Sequence, residues 1–407
     1  ATSTALMVLV LQQMGARVDY IVPDRFKYGY GLTPAIADLA FQTIHPDLLI
    51  TVDNGISSHA GVERCHELGM QVIITDHHLT TKETPKAEAV VNPNQLGCYF
   101  ESKALAGVGV AFYVLAHLAT YRKKQGLSTA QLSQYLDLVA LGTVADVAKL
   151  DFNNRILVKA GIERIQKSQC RPGILALLEI AEKQPQHVQA RDLGFVIGPR
   201  INAAGRMDSM RIGIECLLAP TLSEAYPLAY QLDQLNLERR QVEQSMREQA
   251  FDFIEKAKQQ ADVPEALILF EPDWHQGVIG IVAGRLKEYF HRPSIIFAED
   301  EDGVHLKGSA RSIEGIHIRD AIEYVAQQSP HLVKYFGGHA AAAGLTIPKH
   351  YFDEFKQTFI QHIAQHNPNL FTAKIYTDGT LQANEFSLAF LEKLEQLGPW
   401  GQGYELP

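Results

Sequence analysis

The stretch Met70-Gln71-Val72-Ile73-Ile74-Thr75-Asp76-His77-His78 decides how the chain folds. Its first half is apolar and β-branched, too short for a helix, and reads as a buried strand of a parallel sheet. It stops abruptly at one carboxylate and two imidazoles. In open α/β sheets ligands gather outside the carboxyl ends of the strands, so Asp76, His77 and His78 are expected at that edge.

Working outward, the run Leu48-Leu49-Ile50-Thr51-Val52 is a second strand and ends at Asp53-Asn54-Gly55, with Ser57 or Ser58 able to cap a helix beyond. Upstream, Ala5-Leu6-Met7-Val8-Leu9 is a helical pattern, Val18-Asp19-Tyr20-Ile21-Val22 a strand, and residues 23–31 a glycine-rich loop carrying Arg25. Thr33-Pro34 supplies an N-cap and a first-turn proline for the next helix. Strands alternating with helices about a dozen residues long give βαβ units and a parallel sheet with right-handed crossovers. Asp53 and the Asp76 triplet should therefore be neighbours.

Residues 103–145 are mostly helical in pattern, with Leu105-Ala106-Gly107-Val108-Gly109 packing a turn closely. The segment closes in Leu141-Gly142-Thr143-Val144-Ala145-Asp146, read as another apolar run that delivers a carboxylate at a strand end. Gly198-Pro199-Arg200-Ile201-Asn202-Ala203-Ala204-Gly205-Arg206 is read as a polar insert in a tight place. Residues 223–260 form one long amphipathic helical pattern, with Ala225, Leu228, Leu232, Leu235, Val242, Met246, Ala250 and Ile254 on one stripe and Glu238, Arg239, Arg240, Glu243 and Arg247 off it. It serves as a connector to a second, smaller α/β domain. There, residues 266–270 and 294–298 are strands, a helix opens near Gly277-Val278-Ile279-Gly280, and Gly337 to Gly344 is a loop. The four parts expected are residues 1–222, the connecting helix 223–262, residues 263–373, and a tail 374–407 that begins a strand-rich unit with Ile375-Tyr376-Thr377-Asp378-Gly379.

A chain of 407 residues accommodates two or three cores. Its formal charge of −9 argues against a generic polybasic nucleic-acid coat, so any nucleic-acid site must be local. Cys65, Cys98, Cys170 and Cys216 lie far apart with no C-x-x-C pair, which argues against a zinc knuckle or a disulfide framework and for a reducing cytoplasm. No apolar run reaches membrane-spanning length and no signal-peptide pattern is present, so no membrane partner is expected. The chain opens Ala1-Thr2-Ser3-Thr4 without a methionine and reads as cut from something longer.

Asp53, His77, His78 and Asp146 together make an oxygen-rich ligand set with some nitrogen, which suits Mn²⁺ or Mg²⁺ better than structural zinc. Two such ions can activate a water and stabilise the leaving oxygen of a phosphate ester. Singly, each aspartate is more often a helix cap than a ligand. Their joint arrival around Asp-His-His reverses the odds.

The triplet Asp76-His77-His78 resembles the signature of the DHH phosphoesterases. Val52-Asp53-Asn54-Gly55-Ile56-Ser57-Ser58, Gly142-Thr143-Val144-Ala145-Asp146, residues 200–206, Trp274-His275-Gln276-Gly277-Val278-Ile279-Gly280, Gly308-Ser309-Ala310-Arg311-Ser312 and Gly337-Gly338-His339 extend the likeness over nearly the whole chain. The resemblance implies a parallel-sheet DHH domain joined by the long helix to a DHH-associated domain, with the tail starting an oligonucleotide-binding barrel. It implies that Asp53 bridges two metal ions, that His77 and Asp146 bind one of them, that His78 approaches a metal or the scissile phosphate, and that Asp76 orients the site from behind. The activity it implies is 5′ to 3′ degradation of single-stranded DNA to mononucleotides in repair and recombination. A single-strand-binding protein and a helicase are its implied partners.

By the same resemblance Arg25, Ser309 and Arg311 hold the 5′-terminal phosphate and Arg200 touches the strand nearby. Arginine forks and a serine hydroxyl suit phosphate oxygens. Gly337, Gly338 and His339 suit close backbone approach to a nucleotide, although small residues alone would serve a tight turn into a helix. Trp274 and His275 are evenly balanced between stacking a base and packing the domain. The family's Asp-x-Asp motif on its first strand would precede Ala1, so a metal site short of ligands and impaired catalysis are expected of this chain. The rivals are a DHH phosphodiesterase for a small substrate, an oligoribonucleotide or cyclic dinucleotide, and a non-catalytic DNA-binding scaffold.

Overall fold

The computed structural model describes residues 1–23, 28, 31–80, 83–258 and 263–407. The chain divides into two units: Ala1–Asn236 with Gly379–Pro407, and Leu237–Asp378. Helix α1 (Thr2–Gln13) opens the first unit. Helix α2 (Pro34–Thr43) follows, with the Thr33 hydroxyl accepting the Ile36 N–H at 3.4 Å and Pro34 in the first turn. Strand β1 (Leu48–Val52), helix α3 (His59–Glu67), strand β2 (Gln71–Thr75) and strand β3 (Ala89–Val91) then build a parallel sheet in the order β1-β2-β3. Its register sets Ile50 opposite Ile73, and Ile73 opposite Ala89.

Alternation along the strands divides this sheet's faces. Val72, Ile74, Leu49 and Val90 pack with Ile36 and Ala37 of α2 and with Val62 and Cys65 of α3. Ile50 and Val52 point the other way, into a larger core with α1 and with helices α4 (Gly107–Lys124) and α5 (Leu136–Ala145). Helices α6 (Phe152–Gln166), α7 (Pro172–Ile180), α8 (Gly198–Met207) and α9 (Arg211–Leu218) extend that core.

Four expectations for this unit change. Residues 18–22 pair with no strand among the described residues and are partly exposed, so the β-branched stretch is extended chain without a ladder. Ser58 stands at the N-cap of α3, yet its hydroxyl accepts the Leu32 N–H at 3.1 Å instead of capping the helix. The run ending at Asp146 is helix α5, with Leu138, Val139, Ala140 and Leu141 all buried. A helix apolar on every side looks, over so few residues, like a buried strand. Residues 198–206 likewise lie within α8, whose Ile201, Ala203 and Ala204 are buried.

Helix α10 (Leu222–Lys258) runs from the first unit into the second. The expected stripe is largely buried, but so are Arg239 and Glu243, ion-paired at 2.6 Å, with Arg285 reaching Glu243 at 3.3 Å. Sequence placed them off that stripe. In the second unit strands β4 (Leu267–Phe270), β5 (Ser294–Glu299), β6 (His305–Arg311), β7 (Tyr335–Gly338) and β8 (Ala342–Pro348) run β4-β5-β6-β8-β7. Only β4 and β5 are parallel. Helices α11 (Ile279–Phe290), α12 (Ile318–Gln328) and α13 (Phe352–Ile363) belong to this unit, where Phe297, Phe355 and Phe359 are fully buried.

The glycine- and alanine-rich segment 337–344, expected as a loop, is a β-hairpin joining β7 to β8. Gly338 makes it possible. Its φ is +148° and a Cβ there would stand 2.4 Å from the Ala342 carbonyl oxygen, a position open only to glycine. The tail, expected to begin a barrel with a strand near Ile375, forms none there: Ile375 is 91% exposed and pairs with no strand among the described residues. Helix α14 (Leu388–Leu397) follows, and the terminal residues dock on the first unit, where the Arg155 guanidinium lies 3.7 Å over the Tyr404 ring. No helix among the described residues is long and apolar enough to cross a membrane.

Candidate metal centre and phosphate site

At the carboxyl end of β1 the chain turns through Asp53, whose φ is +65°. A non-glycine residue in the left-handed region is uncommon and has to be held there. The Asp53 N–H donates to the Thr75 carbonyl at 2.9 Å, the Thr51 hydroxyl to the Asn54 carbonyl at 2.7 Å, and the Asn54 amide to the Val52 carbonyl at 2.9 Å. The Asp53 side chain then lies against the first residue of α4. A Cβ on Gly107 would stand 2.2 Å from Asp53 Oδ1, so residue 107 can only be bare.

Asp76 ends β2 and is 1% exposed. Its Oδ2 accepts the Ile56 N–H at 2.9 Å, and its Oδ1 accepts the N–H groups of His77 and His78 at 2.7 and 3.2 Å. The same oxygen lies 2.6 Å from His78 Nδ1. Burial pushes the Asp76 carboxyl up, but the His78 imidazole and the N–H donors outweigh it and hold the group below its ordinary range. A buried carboxylate collecting donors on both oxygens fixes the turn that bears both imidazoles.

His77 faces the aspartates. Its Nε2 lies 3.1 Å from Asp53 Oδ1 and 3.7 Å from Asp146 Oδ2. Burial pulls the His77 imidazole down, yet Asp53, Asp146 and Asp76 together raise it above its usual value. Asp146, delivered from the C-terminal end of α5, is pushed up to about 6 by burial and by the charge of Asp53, against the pull of His77 and His78. Asp53, His77 and His78 each offer one ligand atom, all within 4.8 Å of one another. A divalent cation fits this donor set, because it would turn repelling carboxylates and desolvated imidazoles into ligands.

The second unit holds the remaining predicted residues. Ser309 and Arg311 are two apart on β6 and share one face. Arg311 donates through one Nη to the Ser309 hydroxyl at 3.1 Å and to the Ala310 carbonyl at 2.8 Å. Burial alone lowers its guanidinium from the usual range, and no carboxylate pairs with it among the described residues. Gly280, in the first turn of α11, makes room: a Cβ there would lie 2.8 Å from Ser309 Oγ and 3.0 Å from an Arg311 Nη. Across the sheet Ser309 lines up with Gly344 and then Gly337, and nothing lies within 4 Å of where a Cβ on Gly337 would be. A half-buried guanidinium, a hydroxyl and a helix N-terminus over a bare sheet are groups whose chemistry suits an anion.

His339 is exposed in the hairpin turn, its Nδ1 accepting the Ala341 N–H at 3.3 Å. Trp274 is 4% exposed and donates to Gln249 at 2.7 Å, which is packing. His275 Nδ1 accepts the Gly277 N–H at 3.0 Å. Arg200 donates to Asp233 at 2.9 Å and to the Val196 carbonyl at 2.8 Å, so much of its fork is engaged within the first unit. Arg25 lies outside the described residues. Sequence reasoning read Gly107 only as part of a closely packed turn and passed over Asn92 and Asn94, whose carboxamides donate to the His78 and His77 carbonyls.

Residues 1–143 match the DHH family, N-terminal domain, and residues 264–365 the DHHA1 domain, which together define a DHH phosphoesterase core. The chain is 49% identical over its full length to the single-stranded-DNA-specific exonuclease RecJ of Salmonella typhimurium, 72% of whose length it spans. RecJ of Thermus thermophilus in complex with Mn²⁺ superposes with a TM-score of 0.82 and 31% identity, over all of this chain and 56% of that one. The Mg²⁺ complex of the Thermus protein gives 0.70 and 27%, again over all of this chain and over 59% of that one. This chain belongs to the RecJ family of single-stranded-DNA-specific exonucleases.

Proposed function

We propose that the protein is a metal-dependent exonuclease that removes 5′-mononucleotides from the 5′ end of single-stranded DNA, with Mn²⁺ or Mg²⁺ held by Asp53, His77, His78 and Asp146. The observation that carries this reading is the convergence of the Asp53, His77 and His78 ligand atoms within 4.8 Å beside Asp146. Bound there, the ions would supply an activated water and charge stabilisation for the leaving oxygen. Asp76 holds both histidines in orientation through their backbone N–H groups and through His78 Nδ1. Asp53 contributes a carboxylate that its backbone and Gly107 leave with little freedom.

Ser309 and Arg311 take the 5′-terminal phosphate in this reading, Gly337, Gly338 and His339 lie along the nucleotide, and Arg25 and Arg200 contact the strand. A guanidinium with no carboxylate partner among the described residues and the open space at Gly337 support it. The protein would work in repair and recombination in the bacterial cytoplasm, on strands that a helicase opens and a single-strand-binding protein coats.

The test is Mn²⁺-dependent release of mononucleotides from 5′-phosphorylated single strands, with Mn²⁺ uptake followed by calorimetry. Asp53→Asn should lower metal affinity by about 10-fold or more and turnover at least as much. Faster cleavage of dinucleotides than of long single strands would overturn the substrate assignment. Arg311→Ala should weaken preference for a 5′ phosphate by about 1.5–3 kcal/mol, roughly 10- to 100-fold, while slowing the bound complex less. Equal affinity for phosphorylated and hydroxyl ends, before and after the substitution, would remove the phosphate role.

A further inference from the structure

The segment bearing both imidazoles has no ladder or helix of its own beyond Thr75, and its backbone is held from two sides. Asp76 accepts the N–H groups of His77 and His78. Their carbonyls are taken by two asparagines beyond β3: Asn94 Nδ2 donates to the His77 carbonyl at 2.6 Å, and Asn92 Nδ2 to the His78 carbonyl at 2.9 Å. The asparagines are coupled, since Asn92 Oδ1 accepts the Asn94 N–H at 2.7 Å. Lys103 fastens the same turn, its ammonium donating to the Pro93 and Cys98 carbonyls at 2.7 Å each, while its own carbonyl accepts from Asn94 at 3.1 Å.

We propose that Asn92 and Asn94 are positioning residues of the metal centre, setting the spacing of the two imidazoles through the His77 and His78 carbonyls. The proposal rests on the metal reading above. Every backbone N–H and C=O of the two histidines is thereby bonded to a side chain, with Asp76 on one side and the asparagines on the other. The rings stand 4.5 Å apart at 58°. Freeing one carbonyl lets its peptide plane rotate and carries the ring away from Asp53, without removing a ligand. Outer partners of this kind influence metal affinity by about 10-fold or more.

The experiment titrates Mn²⁺ into the whole chain, by calorimetry and by the electron paramagnetic resonance signal of free Mn²⁺, for wild type, Asn94→Ala, Asn92→Ala and Gln95→Ala. Asn94 is only half-buried, so its alanine variant should fold even where that of the 1%-exposed Asn92 does not. Gln95 is the control: it donates to the Val90 carbonyl at 3.0 Å, in the same turn but away from the histidines. Asn94→Ala should weaken Mn²⁺ binding about 10-fold and Gln95→Ala less than about 2-fold, at similar losses of thermal stability. Wild-type affinity in Asn94→Ala, or an equal loss in Gln95→Ala, overturns the positioning role while leaving the metal centre standing. A wild-type chain that takes up no Mn²⁺ overturns the metal reading and this role with it.

Discussion

Hydrogen bonds hold Asp53 in a left-handed backbone, and its side chain keeps its place because residue 107 opposite is glycine. Gly107→Ala drives a methyl group into the carboxylate, so Asp53 must move. It should cost about 1–3 kcal/mol of stability and, more tellingly, lower Mn²⁺ affinity by about 10-fold, read by titration of the folded variant. The site's titration gives a second expectation. Asp146 binds a proton below about 6 and His77 holds its proton above the usual imidazole value, and both must release them to become ligands. Mn²⁺ affinity should therefore rise as pH climbs through about 6 and past the ordinary imidazole value of 6.5 before levelling off, and a flat profile would show that neither group binds the ion. At this scale the sequence displayed Asp53, His77, His78 and Asp146 through their residue types and their places at the ends of apolar runs. It did not display Gly107, Asn92 or Asn94, because a bare position and two carboxamides acquire meaning only from what stands opposite them in space.

Among the elements, the strands that end in functional residues were legible because β-branched runs bounded by turn residues have few other solutions. The helix that delivers Asp146 was not, since Leu138, Val139, Ala140 and Leu141 are buried all round and periodicity vanishes when every face is apolar. The β7–β8 hairpin was hidden for another reason: its glycines and alanines carry no alternation, and the ladder to β6 decides their state. The turn between β5 and β6 allows a test of element stability. Asp302 Oδ2 lies 2.5 Å from His305 Nδ1 and Oδ1 accepts the Val304 and His305 N–H groups, which together hold the carboxyl down at about 2. A depressed carboxyl contributes stability that is complete above its ordinary value of 3.8 and is lost as pH falls through about 2. The urea midpoint of the wild type should fall over that window, and Asp302→Asn, lower at neutral pH, should lose less of it.

On the scale of the whole molecule two separate cores carry the two candidate sites, the Asp53, His77 and His78 cluster in the first unit and the Ser309–Arg311 pair in the second. The second core is built on rings: Phe355 is fully buried with Phe297 and Phe359 at 5.7 and 5.8 Å. Phe355→Ala should cost about 3–5 kcal/mol, measured as faster amide exchange through β5 and β6, and unchanged exchange there would show that the ring does not anchor the sheet. The sequence by itself determined the α/β class, the parallel strands β1 and β2, the long helix α10 and the residue types that end the apolar runs, because hydrophobic period and turn chemistry are local properties. Only the tertiary structure decided that Asp146 arrives on a helix, that Arg239 and Glu243 are buried as an ion pair, that the tail forms no strand at Ile375, and that asparagines beyond β3 grip the histidine carbonyls. Arg239 and Glu243 are four residues apart on one helix, but their burial, like the other features, depends on elements distant in sequence, and burial and long-range hydrogen bonding have no signature until those elements are in place.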